Sequence, residues 1–268
     1  MEIALIGNPN TGKTSLFNNL TGSYEYVGNW SGVTVEKKVG VFKNNIGHLI
    51  DLPGVYTLNP LSKDEGVVTS FFLNESVDRL LNILDASQLE RNLHLTLQLL
   101  EFEKPALIGL NMVDVANKRG IQIDASKLSN LLGVPVVPVV ARSGKGCDKL
   151  VDVISTQSIQ PAKKNLVYYG KEVEAAIVAL TAEINGKTGL SGRFLAIQYF
   201  EGNEYVRNYV NSIVNEQKLN ELIVNLESTL QTLYNVKSLA NYIYQKRREV
   251  IEKIVVEVAI KSNFDIPL

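Results

Sequence analysis

The sequence predicts an α/β protein: a mostly parallel sheet with helices on both faces, followed by a small all-α domain. Three observations predict it. Strand-sized apolar runs alternate with helical patterns through residues 1–158. Polar, glycine-bearing motifs sit at the ends of several of those runs, where parallel sheets bind ligands. Strand signals nearly vanish after Gln160-Pro161-Ala162-Lys163-Lys164-Asn165, which reads as a linker.

In order, strands are expected at 2–6, 33–42, 46–51, 79–85, 106–110 and 135–139, and helices at 13–20, 64–73, 88–101, 125–132 and 146–157. Asn44-Asn45 between Val41 and Ile46 reads as a hairpin turn, so one strand pair is antiparallel. Past the linker, Val173, Ala176, Ile177, Leu180 and Ile184 recur at helical spacing, as do Leu219, Leu222, Ile223, Leu226, Leu230 and Leu233. Ser238 is a candidate cap for a last helix through Lys261. The expected units are 1–160 and 166–268.

The chain has 268 residues, 45% hydrophobic and 21% charged, enough for a sizeable core. A net charge of −1 gives no nucleic-acid-binding footprint. One cysteine, Cys147, excludes an internal disulfide and fits a reducing compartment. The sequence opens on a strand without a signal-peptide pattern, and no run of 18 apolar residues offers a membrane span. His48, His94 and Cys147 are too scattered for a metal-ligand cluster.

Gly7-Asn8-Pro9-Asn10-Thr11-Gly12-Lys13-Thr14, followed by Ser15, lies between an apolar run and a helical one and fits GxxxxGKS/T. Its glycines turn backbone N–H groups inward, and the helix start adds a positive dipole end, so it suits a phosphate. Lys13 is placed to reach the β- and γ-phosphates and the Thr14 hydroxyl to hold Mg²⁺. Asp51-Leu52-Pro53-Gly54 fits DxxG, whose aspartate holds Mg²⁺ and whose glycine N–H faces the γ-phosphate. Asn111-Met112-Val113-Asp114 fits NKxD with Met112 in the lysine position. A carboxylate there accepts from guanine N1–H and the exocyclic amine, and adenine lacks both donors. Val140-Ala141-Arg142 falls where a guanine-contacting loop belongs. In this order the motifs specify a Ras-like P-loop GTPase.

Thr34 is the well-placed threonine of the first switch. It is assigned Mg²⁺ when GTP is bound, with its N–H and that of Gly54 meeting the γ-phosphate. The plain alternative is a β-branched strand residue in Val33-Thr34-Val35. The residue after Gly54 is Val55, not the glutamine that orients water in many GTPases. Asp64 and Glu65 are candidate helpers and equally suit a helix N-terminus.

The stretch Val27-Gly28-Asn29-Trp30-Ser31-Gly32-Val33-Thr34-Val35-Glu36 closely resembles the first switch of the FeoB family, ferrous iron transport protein B, where the pattern reads Val-Gly-Asn-Trp-Pro-Gly-Val-Thr-Val-Glu. The phosphate loop, Asp51–Tyr56, Asp85-Ala86, Leu89–Leu93 and Leu110–Asp114 are similar to the same family. The resemblance covers residues 1–158 closely; the helical remainder matches in length and type. Ser31 replaces the family proline, and Val140 replaces the serine or threonine of the guanine loop.

The resemblance implies a cytosolic GTP-hydrolysing domain with a helical domain acting on GDP binding. It implies a membrane permease portion of the same longer protein as partner, and a place on the cytoplasmic face of the membrane. Oligomerisation through the helical domain or the membrane part is compatible with it. It also implies K⁺ activation through Asn10, with backbone carbonyls of Gly28 and Trp30 closing the ion's cage. Residues assigned to the nucleotide are Gly7–Ser15, Gly32, Val33, Thr34, Asp51–Gly54, Asn111–Asp114 and Val140–Arg142. Catalytic roles fall on Asn10, Lys13, Thr34 and Gly54, and Mg²⁺ on Thr14, Thr34 and Asp51. Two alternatives remain open at this point: a tRNA-modifying or ribosome-assembly type GTPase, and a binding-only regulatory domain.

Overall fold

The computed structural model describes all residues except 31–33, 61, 157–158, 163–164, 237 and 262–268. Strands β1 (Glu2–Gly7), β2 (Thr21–Asn29), β3 (Glu36–Phe42), β4 (His48–Asp51), β5 (Arg79–Asp85), β6 (Ala106–Asn111) and β8 (Val136–Pro138) form a seven-stranded sheet of order β2-β3-β4-β1-β5-β6-β8. β1 pairs in parallel with β4 and β5, β5 with β6, and β6 with β8. The β2–β3 and β3–β4 pairs are antiparallel.

Alternation along the central strands sends side chains to both faces. Ile3, Leu5, Leu81 and Ile83 pack under helix α1 (Lys13–Leu20) and helix α6 (Cys147–Ser155) through Leu16, Phe17, Leu20, Leu150 and Ile154. Ala4, Ile6, Leu80 and Leu84 face the other core, with α2 (Lys63–Asn74), α3 (Leu89–Leu100) and α5 (Ala125–Leu132). Between β6 and α5 run α4 (Val113–Lys118) and β7 (Ile121–Ile123). The second core continues into α7 (Lys171–Ile184), α8 (Gly192–Phe200), α9 (Glu204–Asn211), α10 (Glu216–Tyr234) and α11 (Leu239–Val258). Phe72, Phe102 and Phe194 carry it across, with ring centroids 5.0 and 4.8 Å apart.

A buried charge cluster lies on the same seam. Arg247 of α11 meets Glu101, just past α3, at 2.7 Å and also bonds Glu201, just past α8. Burial pushes the Glu201 carboxyl up, Arg247 opposes that shift, and the two glutamates hold the Arg247 guanidinium well above its ordinary value despite its own burial.

Three expectations change. The strand expected at 33–42 starts at Glu36, and an additional edge strand, β2, precedes it. The last helix ends at Val258 rather than Lys261: Ala259 turns extended, and Ala259–Lys261 form β9, antiparallel to β7. This short strand returns from the otherwise helical half and satisfies backbone groups of β7. Ser238 does cap α11, accepting from the Asn241 N–H at 3.2 Å.

Candidate nucleotide site

β1 ends at Gly7 and α1 begins at Lys13, so the phosphate loop spans the carboxyl edge of a central strand. Asn10 (φ 63°) and Gly12 (φ 86°) both adopt the left-handed conformation. Gly12 is required twice over: a Cβ there would lie 2.4 Å from Asn111 Nδ2. The Thr11 hydroxyl donates to the Asn8 carbonyl at 2.8 Å and closes the turn. No side chain caps α1, leaving its first-turn N–H groups, those around Thr14 and Ser15, directed at the loop. Thr14, Ser15 and Asn10 are exposed, and Pro9 is half-buried.

Asp51 ends β4 beside β1, and Lys13 Nζ bonds its Oδ1 at 2.5 Å. Burial raises the Asp51 carboxyl and Lys13 opposes that shift. Leu52 N–H donates to the Leu5 carbonyl at 3.0 Å and Val55 N–H to the Gly7 carbonyl at 3.2 Å. Pro53 and Gly54 are thereby held over the phosphate loop, and a Cβ on Gly54 would come within 3.2 Å of Pro9. Val55 is 1% exposed, so the side chain in the usual glutamine position points into the core. Tyr56 is exposed and lies under the Arg91 guanidinium at 4.2 Å. Ser62 caps α2 by accepting from the Glu65 N–H, which places Asp64 and Glu65 in the first turn of that helix.

Asn111 joins the two ends of the site. Its Nδ2 donates to the Thr11 carbonyl and its Oδ1 accepts from the Ala141 N–H, both at 2.8 Å. Met112, left-handed at φ 58°, opens α4, whose first turn presents Val113 and an exposed Asp114. Val140 and Lys145 bridge the base of the next loop, and Arg142 at its tip is exposed.

The described part of the first switch lies along the β2–β3 edge of the sheet. Gly28 pairs with Lys37 and Asn29 with Glu36, and Trp30 N–H donates to the Val35 carbonyl at 2.9 Å. β2 lies three strands from β1, roughly 14 Å at the usual spacing. Among the described residues no hydrogen bond joins Gly28 or Trp30 to Asn10. The Trp30 ring packs edge-on against Phe71 of α2 at 5.6 Å with Lys37 Nζ 4.6 Å over its face. Thr34 is exposed beside β3, and no hydrogen bond joins it to the phosphate loop among the described residues. Gly32 and Val33 lie outside the described residues.

Several residues of the site carried no motif. Gln98 of α3 accepts from the Leu58 N–H at 2.8 Å and from the Thr57 hydroxyl at 3.1 Å, and Asn203 donates to the Leu58 carbonyl at 2.7 Å. The segment after Gly54 is thus tied to both α3 and the helical half. Asn19 of α1 donates to the Ala141 carbonyl at 2.6 Å. A polar residue inside a helix was the available signal for Gln98 and Asn19.

This fold and site define a P-loop GTPase domain joined to a helical domain. A family described as Ferrous iron transport protein B matches residues 1–154, and the FeoB cytosolic helical domain matches residues 169–260. The Fe(2+) transporter FeoB of Staphylococcus aureus (strain MSSA476) is 54% identical over 215 residues, covering 78% of this chain and 32% of that protein. The corresponding protein of Salmonella choleraesuis is 43% identical over 217 residues, covering 78% of this chain and 28% of that protein.

Among solved structures, a GDP-bound variant of the S. thermophilus FeoB G-domain superposes with a TM-score of 0.84 at 35% identity, covering 97% of this chain and all of that one. The T. maritima FeoB cytosolic domain in its GMPPNP form gives 0.81 at 32% identity, covering 97% and 99%. The chain belongs to the FeoB family, and it spans about a third of the length of the curated relatives it matches.

Proposed function

We propose that this chain is the GTP-hydrolysing part of a ferrous iron transporter and that nucleotide state, read through its switches, regulates a membrane permease portion at the cytoplasmic face. The observation that carries the reading is Asn111, which ties the phosphate loop to the guanine loop beside Asp114. In this reading residues 1–160 bind and hydrolyse GTP, and residues 166–268 act on GDP release. Among the described residues no helix is long and apolar enough to cross a membrane, and no group of three metal-binding side chains occurs. Iron, as cargo, is assigned to the remainder of the longer protein.

The donor set fits a hard cation: the buried Asp51 carboxylate and the Thr14 hydroxyl offer oxygen ligands, with Thr34 joining in the GTP state. Mg²⁺ held by these oxygens would supply positive charge to the developing phosphate charge. Lys13 holds the β- and γ-phosphates, Gly54 N–H meets the γ-phosphate, and Asp114 reads guanine. Val55 cannot orient water, so hydrolysis proceeds without a catalytic glutamine. We assign the supplementary positive charge to K⁺ beside Asn10. In this reading the backbone carbonyls of Gly28 and Trp30 complete that site, Gly28 being paired with Lys37 in the β2–β3 ladder.

GTP turnover measured in KCl and in NaCl at equal ionic strength tests this. K⁺ should be faster, and Asn10→Ala should remove the difference. Equal rates in the two salts would overturn the K⁺ assignment, and equal ATP and GTP affinity would overturn the guanine reading.

A further inference from the structure

The loop from Val140 to Lys145 is closed on itself. Val140 N–H donates to the Lys145 carbonyl at 2.9 Å and Ser143 N–H to the Val140 carbonyl at 3.0 Å. Its placement relative to the phosphate loop must come from outside, and Val140 has no hydroxyl to supply it. Two asparagines do so at Ala141. Asn111 Oδ1 accepts the Ala141 N–H from the β6 side at 2.8 Å. Asn19 Nδ2 donates to the Ala141 carbonyl at 2.6 Å from the α1 side, and to the Ser15 carbonyl of its own helix at 2.8 Å. The two backbone groups of Ala141 belong to successive peptide planes, so holding both fixes the dihedral angles between them and with them the direction of Arg142.

Packing reinforces the contact. Gly144 is left-handed at φ 77°, and a Cβ there would sit 3.1 Å from Asn19 Oδ1. The loop thus closes over the asparagine at a glycine. Asn19 also stands on the helix that Lys13 opens, so one rigid element carries both the phosphate contact and the support of the base-contacting loop.

We propose that Asn19 is a positioning residue for nucleotide specificity: it holds the Val140–Arg142 loop against guanine and slows GDP release. This rests on the guanine reading above. Asn19→Asp keeps the shape and removes the donor. It should speed GDP dissociation by about 3- to 10-fold, the loss expected for one net hydrogen bond, and shrink the GDP-over-ADP affinity ratio by a similar factor. Asn19→Ala should do the same, and Asn19→Gln, which retains the amide, should recover part of the ratio. A role in stability alone would lower the melting temperature and leave the ratio unchanged, and that result overturns the proposal. If the unmodified protein does not prefer GDP to ADP, the guanine reading itself fails; if it does and the Asn19 variants match it, only this inference fails.

Discussion

Lys13 and Asp51 bond each other at 2.5 Å across the phosphate loop, with side chains that are both largely buried. Each is assigned a different partner in the nucleotide complex: phosphate oxygens for the lysine and Mg²⁺ for the aspartate. Under that assignment, nucleotide loading would be an exchange of partners between groups that are already compensated. The buried carboxylate is not left uncompensated before loading.

Asp51→Asn should uncouple the nucleotide from its metal. In the unmodified protein, removing Mg²⁺ with EDTA should weaken GTP affinity. In the variant, GTP affinity should already be reduced and should change little on EDTA addition. An unaltered EDTA effect would remove Asp51 from the metal site.

Base selection should follow Asp114. Asp114→Asn exchanges an acceptor for a donor, so competition assays should show preference moving from guanine toward xanthine nucleotides. The exposed position of Asp114 in the first turn of α4 makes the change tolerable for the fold. Retained guanine preference would place recognition elsewhere.

Trp30 is the sole tryptophan, and it is 9% exposed against Phe71. Its emission reports the first switch without a label. A non-hydrolysable GTP analogue that draws Thr34 to Mg²⁺ should pull Trp30 from this packing and shift its emission to the red, whereas GDP should not. Thr34→Ala should abolish the shift. Identical spectra in the GDP and analogue states would mean that Trp30 stays docked on α2 throughout.

Arg247 should dominate the stability of the seam. Arg247→Ala leaves Glu101 and Glu201 facing each other in the interior and should cost about 3–5 kcal/mol. Denaturant unfolding reads this directly. Replacing all three with uncharged residues of similar size should recover most of the loss. A single variant as stable as the unmodified chain would show that the cluster contributes nothing net.

Glu174 should give an acid-side pH dependence. Burial alone would raise its carboxyl, but two hydrogen bonds from Arg193 and one from the Tyr169 N–H overcome that and hold it below the ordinary 4.5. The native state then binds fewer protons than the unfolded chain in this window. The contribution is present above the ordinary value and is lost as pH falls through the lowered one. Glu174→Gln should cost about 1 kcal/mol at neutral pH after solvent screening, with the gap closing as pH falls below 4.5. A gap independent of pH would assign the effect to packing.

Much of this architecture was legible because the informative residues repeat at structural periods. Ile3, Leu5, Ala4 and Ile6 alternate between two cores, and the motifs at Gly7, Asp51 and Asn111 fall at strand ends. β2 was not legible: Tyr24, Tyr26 and Val27 are all exposed, and two register shifts break any alternation. β7 and β9, three residues each, are too short to show a period. The nucleotide motifs were legible as chemistry, whereas Asn19, Gln98, Asn203 and Arg247 act through distant backbone or charge partners that sequence spacing does not reveal.

The pairing of β9 with β7 bears on how the chain can be divided. A cut near residue 160 would strip β7 of its partner and uncover Phe102, which packs on Phe194 of the other half. The shortened piece would then present both a bare strand edge and an uncovered aromatic side chain, features that each promote self-association. A fragment ending there should retain its guanine motifs yet become concentration-limited. Charged substitutions at the outward-facing Gln122 offer a way to keep it dispersed.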